Sequence, residues 1–280
     1  MEIVKARGFG FRYSESKRWA VRNLDLTVDQ GEIAILAGPS GCGKSTLLRA
    51  INGLIPHMYS GEAEGAVTVV GQPVAQTPMS ALAQKVGLLF QNPENQIFMF
   101  SVERDVAFGL ENLGVPRAEM RERVDRCISL LGLTPLAGRA PHELSDGQKQ
   151  RVALAGVLAM EPKLVILDEP TSLLDPKTAM ELVDLLARLR DTMGTTFLVV
   201  EHRLDLLVRV ADRIIVMNEG TKVLEGRPRD VLFGEEAEGY GIAVPAVTRV
   251  QRSLFRQGKA PGNKLLSPEE LAAAVEEGKS

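Results

Sequence analysis

The run Ile33–Ala37 passes directly into Gly38-Pro39-Ser40-Gly41-Cys42-Gly43-Lys44-Ser45-Thr46, and no other segment constrains the chain as strongly. Five consecutive apolar residues ending at a glycine read as a buried strand, and residues 44–52 read as a helix. Between them, glycines at 38, 41 and 43 let the backbone curl so that successive N–H groups point at one place. The helix N-terminus adds partial positive charge at the same place. Such a turn cradles phosphates. Lys44 is then placed to reach the β- and γ-phosphates of a nucleotide, and Ser45 to offer its hydroxyl to Mg2+.

The remaining pattern alternates. Residues 3–30 mix apolar and polar positions with Phe9, Phe11, Tyr13 and Trp19, and read as strands and turns. Strands are also expected at 67–70, 86–90, 164–167, 197–200 and 214–217. Between about 95 and 158 the periodicity is helical, with Met120, Val124, Ile128 and Leu131 on one face. Pro116 fits the start of that helix and Gly132 its end. Residues 179–189 form an amphipathic helix with Leu182, Leu185, Leu186 and Leu189 inward. A last short helix is expected over 268–277, opened by Pro268. Strands alternating with helices imply an α/β fold with a mainly parallel sheet, interrupted by an inserted helical segment; with the Gly38–Ser45 loop this resembles a P-loop NTPase core with an inserted α-helical subdomain.

Bulk properties set limits on function. The net charge of −3 argues against a broad nucleic-acid face, so no nucleic-acid partner is expected. Neither Cys42 nor Cys127 has a second cysteine at metal-ligand or redox spacing, which suits reduced thiols in a cytosolic protein. No secretory leader and no apolar run of the ~18 residues that a span requires are read in the chain. Work at a membrane would need a second chain to supply the span.

Two acidic residues close the apolar run Leu164-Val165-Ile166-Leu167-Asp168-Glu169. Open α/β sheets bind ligands at the carboxyl ends of their strands. Asp168 can hold Mg2+ there, usually through water. Glu169 can polarise an attacking water as general base. A solvated strand end is the plainer reading; the phosphate loop nearby favours chemistry. These two motifs are shared with kinases and GTPases.

The segment that narrows the class is Leu144-Ser145-Asp146-Gly147-Gln148-Lys149-Gln150-Arg151. It resembles the LSGGQ signature of ABC ATPases, with Asp146 in place of the usual middle glycine. Ser145 and the Gly147 amide, just before a helix, can donate to a γ-phosphate bound to another chain. Ser145 also suits a simple helix cap. Asp146 brings negative charge near that phosphate, or points away from it.

The resemblance to ABC ATPase subunits covers residues 1 to about 233. It implies an N-terminal antiparallel β subdomain, a helical subdomain inserted at about 95–160, and a C-terminal extension at 234–280. It implies ATP and Mg2+ as cofactors and ATP hydrolysis as the reaction. By position, Tyr13 matches the aromatic that stacks on adenine, although a packed strand residue is the other reading. Gln91 matches the glutamine that meets Mg2+ and water. Ser172, Leu173, Leu174 and Asp175 match the dimer-contact loop, and His202 the histidine that senses the γ-phosphate and serves catalysis with Glu169 and Lys44.

Finer similarity lies in residues 90–98 and 101–109, and in 243–251 and 266–275, which resemble the ATPase subunits of energy-coupling factor importers for vitamins and cobalt or nickel. That resemblance implies a homodimer, or a heterodimer with a paralogous ATPase, at the cytoplasmic face of the membrane. It also implies a transmembrane coupling subunit and a substrate-binding membrane subunit. Glu103 and Asp105 would meet the coupling subunit. A soluble ABC ATPase of DNA repair or translation and a P-loop kinase are the rivals. The first usually carries a coiled-coil arm or two cassettes; the second has no use for 144–148 and His202.

Overall fold

A computed structural model describes residues 1–257 and 270–273. Among these, the strands are β1 (Glu2–Tyr13), β2 (Val21–Asp29), β3 (Ile33–Ala37), β4 (Gly61–Val69), β5 (Gln72–Pro73), β6 (Val86–Leu89), β7 (Leu164–Asp168), β8 (Thr196–Val200), β9 (Arg213–Asn218) and β10 (Thr221–Gly226). They build an antiparallel sheet in the order β2-β1-β4-β5 and a second sheet in the order β10-β9-β3-β8-β7-β6. In the second sheet only β10 runs antiparallel to its neighbour.

The alternation of side chains along β3 explains the layering. Ile33, Ile35 and Ala37 enter one hydrophobic cluster, together with Val106, Val152 and Leu186 from helices. Ala34 and Leu36 enter the opposite cluster, with Phe11 and Leu26 from the antiparallel sheet and Leu47 from the helix Lys44–Ile51. Both faces of β3 are therefore covered, which is why its sequence is an unbroken apolar run. Each leucine or isoleucine fully buried in this way stabilises by about 1.5–3 kcal/mol.

The helical insert consists chiefly of Val102–Asn112, Arg117–Leu130 and Asp146–Ala159. Ser101 caps the first by accepting from Arg104 N at 3.4 Å. On the second, Val124, Ile128 and Leu131 are buried and Met120 packs half-buried against them. The third opens with a reciprocal cap: Ser145 Oγ accepts from Gln148 N, and Gln148 Oε1 accepts from Ser145 N at 3.0 Å. Gly147 thus lies inside the first helical turn rather than before it.

Several sequence boundaries shift for local reasons. The helix expected over 179–189 runs Pro176–Met193, because Asp175 caps its start and Gly194, at φ 65°, ends it. β4 begins at Gly61, well before residue 67; its first six residues are exposed and held by pairing with β1. Phe90 falls outside β6 and is 44% exposed. After Phe233 there is a further helix, Ala246–Arg256, whose buried side is Thr248, Gln251 and Arg252. Of the helix expected over 268–277, residues 270–273 are helical and the others lie outside the described residues.

Candidate active site

The site stands where β3, β8 and β7 end side by side, next to the crossover that sends β9 to the other flank of β3. After β3 the chain curls through the phosphate loop. Gly38 has φ 151°, and a Cβ there would lie 2.3 Å from the Met217 carbonyl oxygen. Gly43 has φ 108°, and a Cβ would lie 2.4 Å from the Ala20 carbonyl oxygen. The loop is pressed against backbone at both points, so neither position accepts a side chain. Lys44 is buried and donates to the carbonyls of Gly38 at 2.8 Å and Pro39 at 3.0 Å. Ser45 is exposed at the first turn of the helix, whereas Cys42 and Thr46 are buried.

Tyr13, at the end of β1, borders the loop. Its hydroxyl accepts from Arg49 at 2.8 Å and lies 3.2 Å from Thr46 Oγ1. Its ring packs edge-on against Phe11 and Tyr59. It is both a packed strand residue and a half-exposed neighbour of the phosphate loop.

At the end of β7, Asp168 pairs with Val200 of β8. Burial pushes the Asp168 carboxyl above the usual range, and the Glu169 carboxylate adds to this, while Lys44, Arg49 and His202 oppose it. Glu169 has φ 48°, a left-handed conformation uncommon for a residue with a side chain. Its N–H still bonds the Val200 carbonyl at 2.9 Å. The turn at Glu169 brings its carboxylate between two other elements. Gln91 Nε2, just beyond β6, donates to Glu169 Oε2 at 2.9 Å. His202 Nε2, just beyond β8, lies 3.3 Å from Glu169 Oε1. Gln91, Glu169 and His202 thus form one group, though 78 and 33 positions separate Glu169 from its partners. A backbone conformation costing on the order of 1–3 kcal/mol is held where the carboxylate meets Gln91 and His202, and such strain is usually found at functional sites.

Oxygen donors fit Mg2+ here. Among the described residues no group of three or more His, Cys, Asp or Glu could hold a metal by themselves. Asp168, Ser45 and Gln91 offer the few oxygens that suffice when substrate phosphates complete the shell.

The segment Leu144–Gln148 stands apart. Leu144 is buried; Ser145 and Asp146 are exposed. A Cβ at Gly147 would lie 2.4 Å from Thr178 Cγ2, so the tip is seated on the helix that follows Ser172–Asp175. No hydrogen bond or ion pair among the described residues joins 144–148 to 38–46. Asp146 lies 3.8 Å from Lys149, which also pairs with Glu94. In the contact loop, Leu173 is 52% exposed while Leu174 is buried. Glu103 is exposed, but Asp105 turns inward, accepting from the N–H groups of Phe98 at 3.0 Å and Met99 at 3.1 Å. The expectation that both acids face a partner is therefore corrected for Asp105: its carboxylate is engaged in holding the 98–99 backbone. Sequence reading missed Arg49, Glu201 and Arg203, whose only signal was their position beside the motifs.

The ABC transporter family model matches residues 21–172, just over half of the chain. The chain belongs to the ABC transporter ATP-binding family. As an ABC ATPase it binds and hydrolyses ATP. It is 38% identical to the energy-coupling factor transporter ATP-binding protein EcfA1 of Ligilactobacillus salivarius, over 96% of this chain and 94% of that one. The solved structure of cbiO1 from Clostridium perfringens, part of the ABC transporter complex cbiONQ, superposes with TM-score 0.78 and 35% identity. That match covers 92% of this chain and 97% of the other. The dimeric, post-hydrolysis ATP-binding cassette MJ0796 with ADP and Pi superposes with TM-score 0.68 and 30% identity, covering 80% and 98%. This ABC ATPase spans 98% of one curated relative, from Pyrococcus abyssi, and 43% of a longer one, from Methanosarcina mazei. No described helix is long and apolar enough to cross a membrane.

Proposed function

We propose that two copies of this ABC ATPase, or one copy and a paralogue, close head to tail on ATP and drive a membrane importer of the energy-coupling factor type. The likeness to EcfA1 and cbiO1 supports that class; the solute class we assign to it is a vitamin or a transition-metal ion. Membrane subunits would supply the span, and the ATPase would sit peripherally on the cytoplasmic face. In this reading residues 1–233 are the ATPase domain, with its helical subdomain at about 95–160, and 234–280 a dimerisation extension.

One observation carries the catalytic assignment: the Glu169 carboxylate is clasped by Gln91 and His202 at the strand ends beside Lys44. The loop 38–46 holds the phosphates of one ATP, Lys44 exchanging its loop carbonyls for phosphate oxygens. Tyr13 borders the base. Ser145–Gln148 of the facing copy caps the γ-phosphate, and Ser172–Asp175 lines the seam. Ser45, Asp168 and Gln91 would hold Mg2+, which would supply charge neutralisation to the phosphates. Glu169 orients the attacking water and takes its proton, and His202 donates to the γ-phosphate. Loss of that phosphate removes the contacts that bridge the copies, and the pair opens.

An apolar groove of about 330 Å³ lies against the insert, lined among others by Phe98, Asp105, Phe108, Leu113 and Met160. It is the surface on which the coupling subunit docks, and the exposed Glu103 belongs to the same helix as Asp105 and Phe108. The test is Glu169→Gln. Turnover falls by about 10²–10⁴-fold, and ATP now holds a dimer on size-exclusion chromatography. Unchanged turnover removes Glu169 from the chemistry.

A further inference from the structure

Glu201, between β8 and His202, is 2% exposed, yet no role follows for it from the reaction. Its carboxylate is fully engaged. Oε1 accepts from His202 N at 2.8 Å and Arg203 N at 3.2 Å. Oε2 accepts from the Thr171 hydroxyl at 2.5 Å and Thr171 N at 3.3 Å. Arg203 reaches the same loop from the other side, its Nη1 donating to the carbonyls of Thr171 at 3.3 Å and Leu174 at 3.2 Å. The turn that bears His202 and the loop 171–175 are thus joined by a buried carboxylate and by a guanidinium. A single contact would serve packing; four hydrogen bonds between two short loops, with two more that fold the 201–203 turn onto the same carboxylate, make them one body.

We infer that Glu201 and Arg203 are positioning residues that lock the His202 turn to the 171–175 loop, so that movement of His202 on γ-phosphate binding or loss is passed to the surface facing the second copy. The inference rests on the head-to-tail reading above. A buried charge with every oxygen satisfied is stiff, because loosening either loop leaves donors unpaired. The exposed Leu173 rides on the loop so held and gives it a face for the partner.

The test compares Arg203→Ala, Arg203→Lys, Glu201→Gln and Thr171→Val in the full chain. Glu201→Gln can misfold, whereas Arg203 and Thr171 can be altered without burying a new unpaired charge. ATPase kcat, the Kd of a fluorescent ATP analogue on the dilute single chain, and ATP-dependent dimerisation in a Glu169→Gln background are measured. Expected are a fall of about tenfold in kcat and in dimer affinity for Arg203→Ala and Thr171→Val, analogue Kd within about twofold of the parent, and partial rescue by Arg203→Lys. If kcat and dimerisation stay within about twofold, or if analogue binding and Tm fall in step with kcat, the lock is refuted. If Glu169→Gln alone forms no ATP-dependent dimer, the head-to-tail reading fails and the lock with it. If it dimerises and the Arg203 and Thr171 variants do so equally well, the lock alone fails.

Discussion

The phosphate loop and the signature tip both present backbone N–H groups at a helix start, but they are built in opposite ways. The loop exposes Ser40, Gly41 and Ser45 but is pinned where Gly38 and Gly43 touch other backbone, and its buried lysine is folded onto its own carbonyls. The tip is exposed and satisfied locally by the Ser145–Gln148 cap and by Lys149. The loop is pinned and charged, the tip open and closer to neutral; in the proposed two-copy reading they are the two halves of one ATP site. A surface of the first kind binds a ligand by itself. A surface of the second kind, with few groups in reach, contributes when a ligand already held elsewhere is brought to it.

That contrast sets the expected effects. Lys44→Ala strikes the rigid half and is the most damaging: nucleotide affinity of the single chain drops by about ten- to hundredfold, read by equilibrium titration, since a charge-assisted contact is lost. Equal binding by the variant would break the comparison at its stronger side. Asp146→Gly sharpens it at the weaker side. If Asp146 faces the γ-phosphate of the facing copy, removal of this exposed charge tightens the ATP-bound dimer of Glu169→Gln by about two- to fivefold, leaves single-chain affinity alone, and the effect shrinks in high salt. A tighter dimer that is insensitive to salt would point to backbone freedom instead of charge.

The smallest effect concerns stability. Burial, with Glu169 beside it, raises the Asp168 carboxyl, so the folded chain binds this proton more readily than the unfolded chain. Ionisation of Asp168 therefore opposes folding. The penalty is absent below the ordinary carboxylate range and grows as pH rises through the raised value. Asp168→Asn should abolish turnover yet raise Tm at neutral pH by about 2 °C, with less change at low pH. A lower Tm at neutral pH would show that the carboxylate is stabilised by its cationic neighbours instead.

Much of the architecture was legible in the residues. β3, β7, β8 and β9 are apolar runs because both faces of the sheet are covered, and the loop glycines announce the turn between β3 and its helix. β10 was not legible, since its side chains are half-exposed and carry no clear period. Nor was the first part of β4, where pairing with β1 holds residues of low strand propensity. In the candidate site, the strand-end acidic pair singled out Glu169, and the family resemblance, by position, singled out Gln91 and His202, one by one. Their contact was hidden, because it depends on the left-handed turn at Glu169 that no local pattern encodes. The inward turn of Asp105 was hidden likewise: an acid in a first helical turn suits solvent equally well.

Mixed pairs would examine the shared grip on ATP most directly. In the Glu169→Gln background, chains carrying Lys44→Ala are combined with chains carrying Ser145→Arg, and retained radiolabelled ATP is counted. With the intact loop on one copy facing the intact tip of the other, the mixture should retain ATP that neither variant retains alone. No retention on mixing, with both variants folded, would place loop and tip in the same chain's site and contradict the two-copy reading.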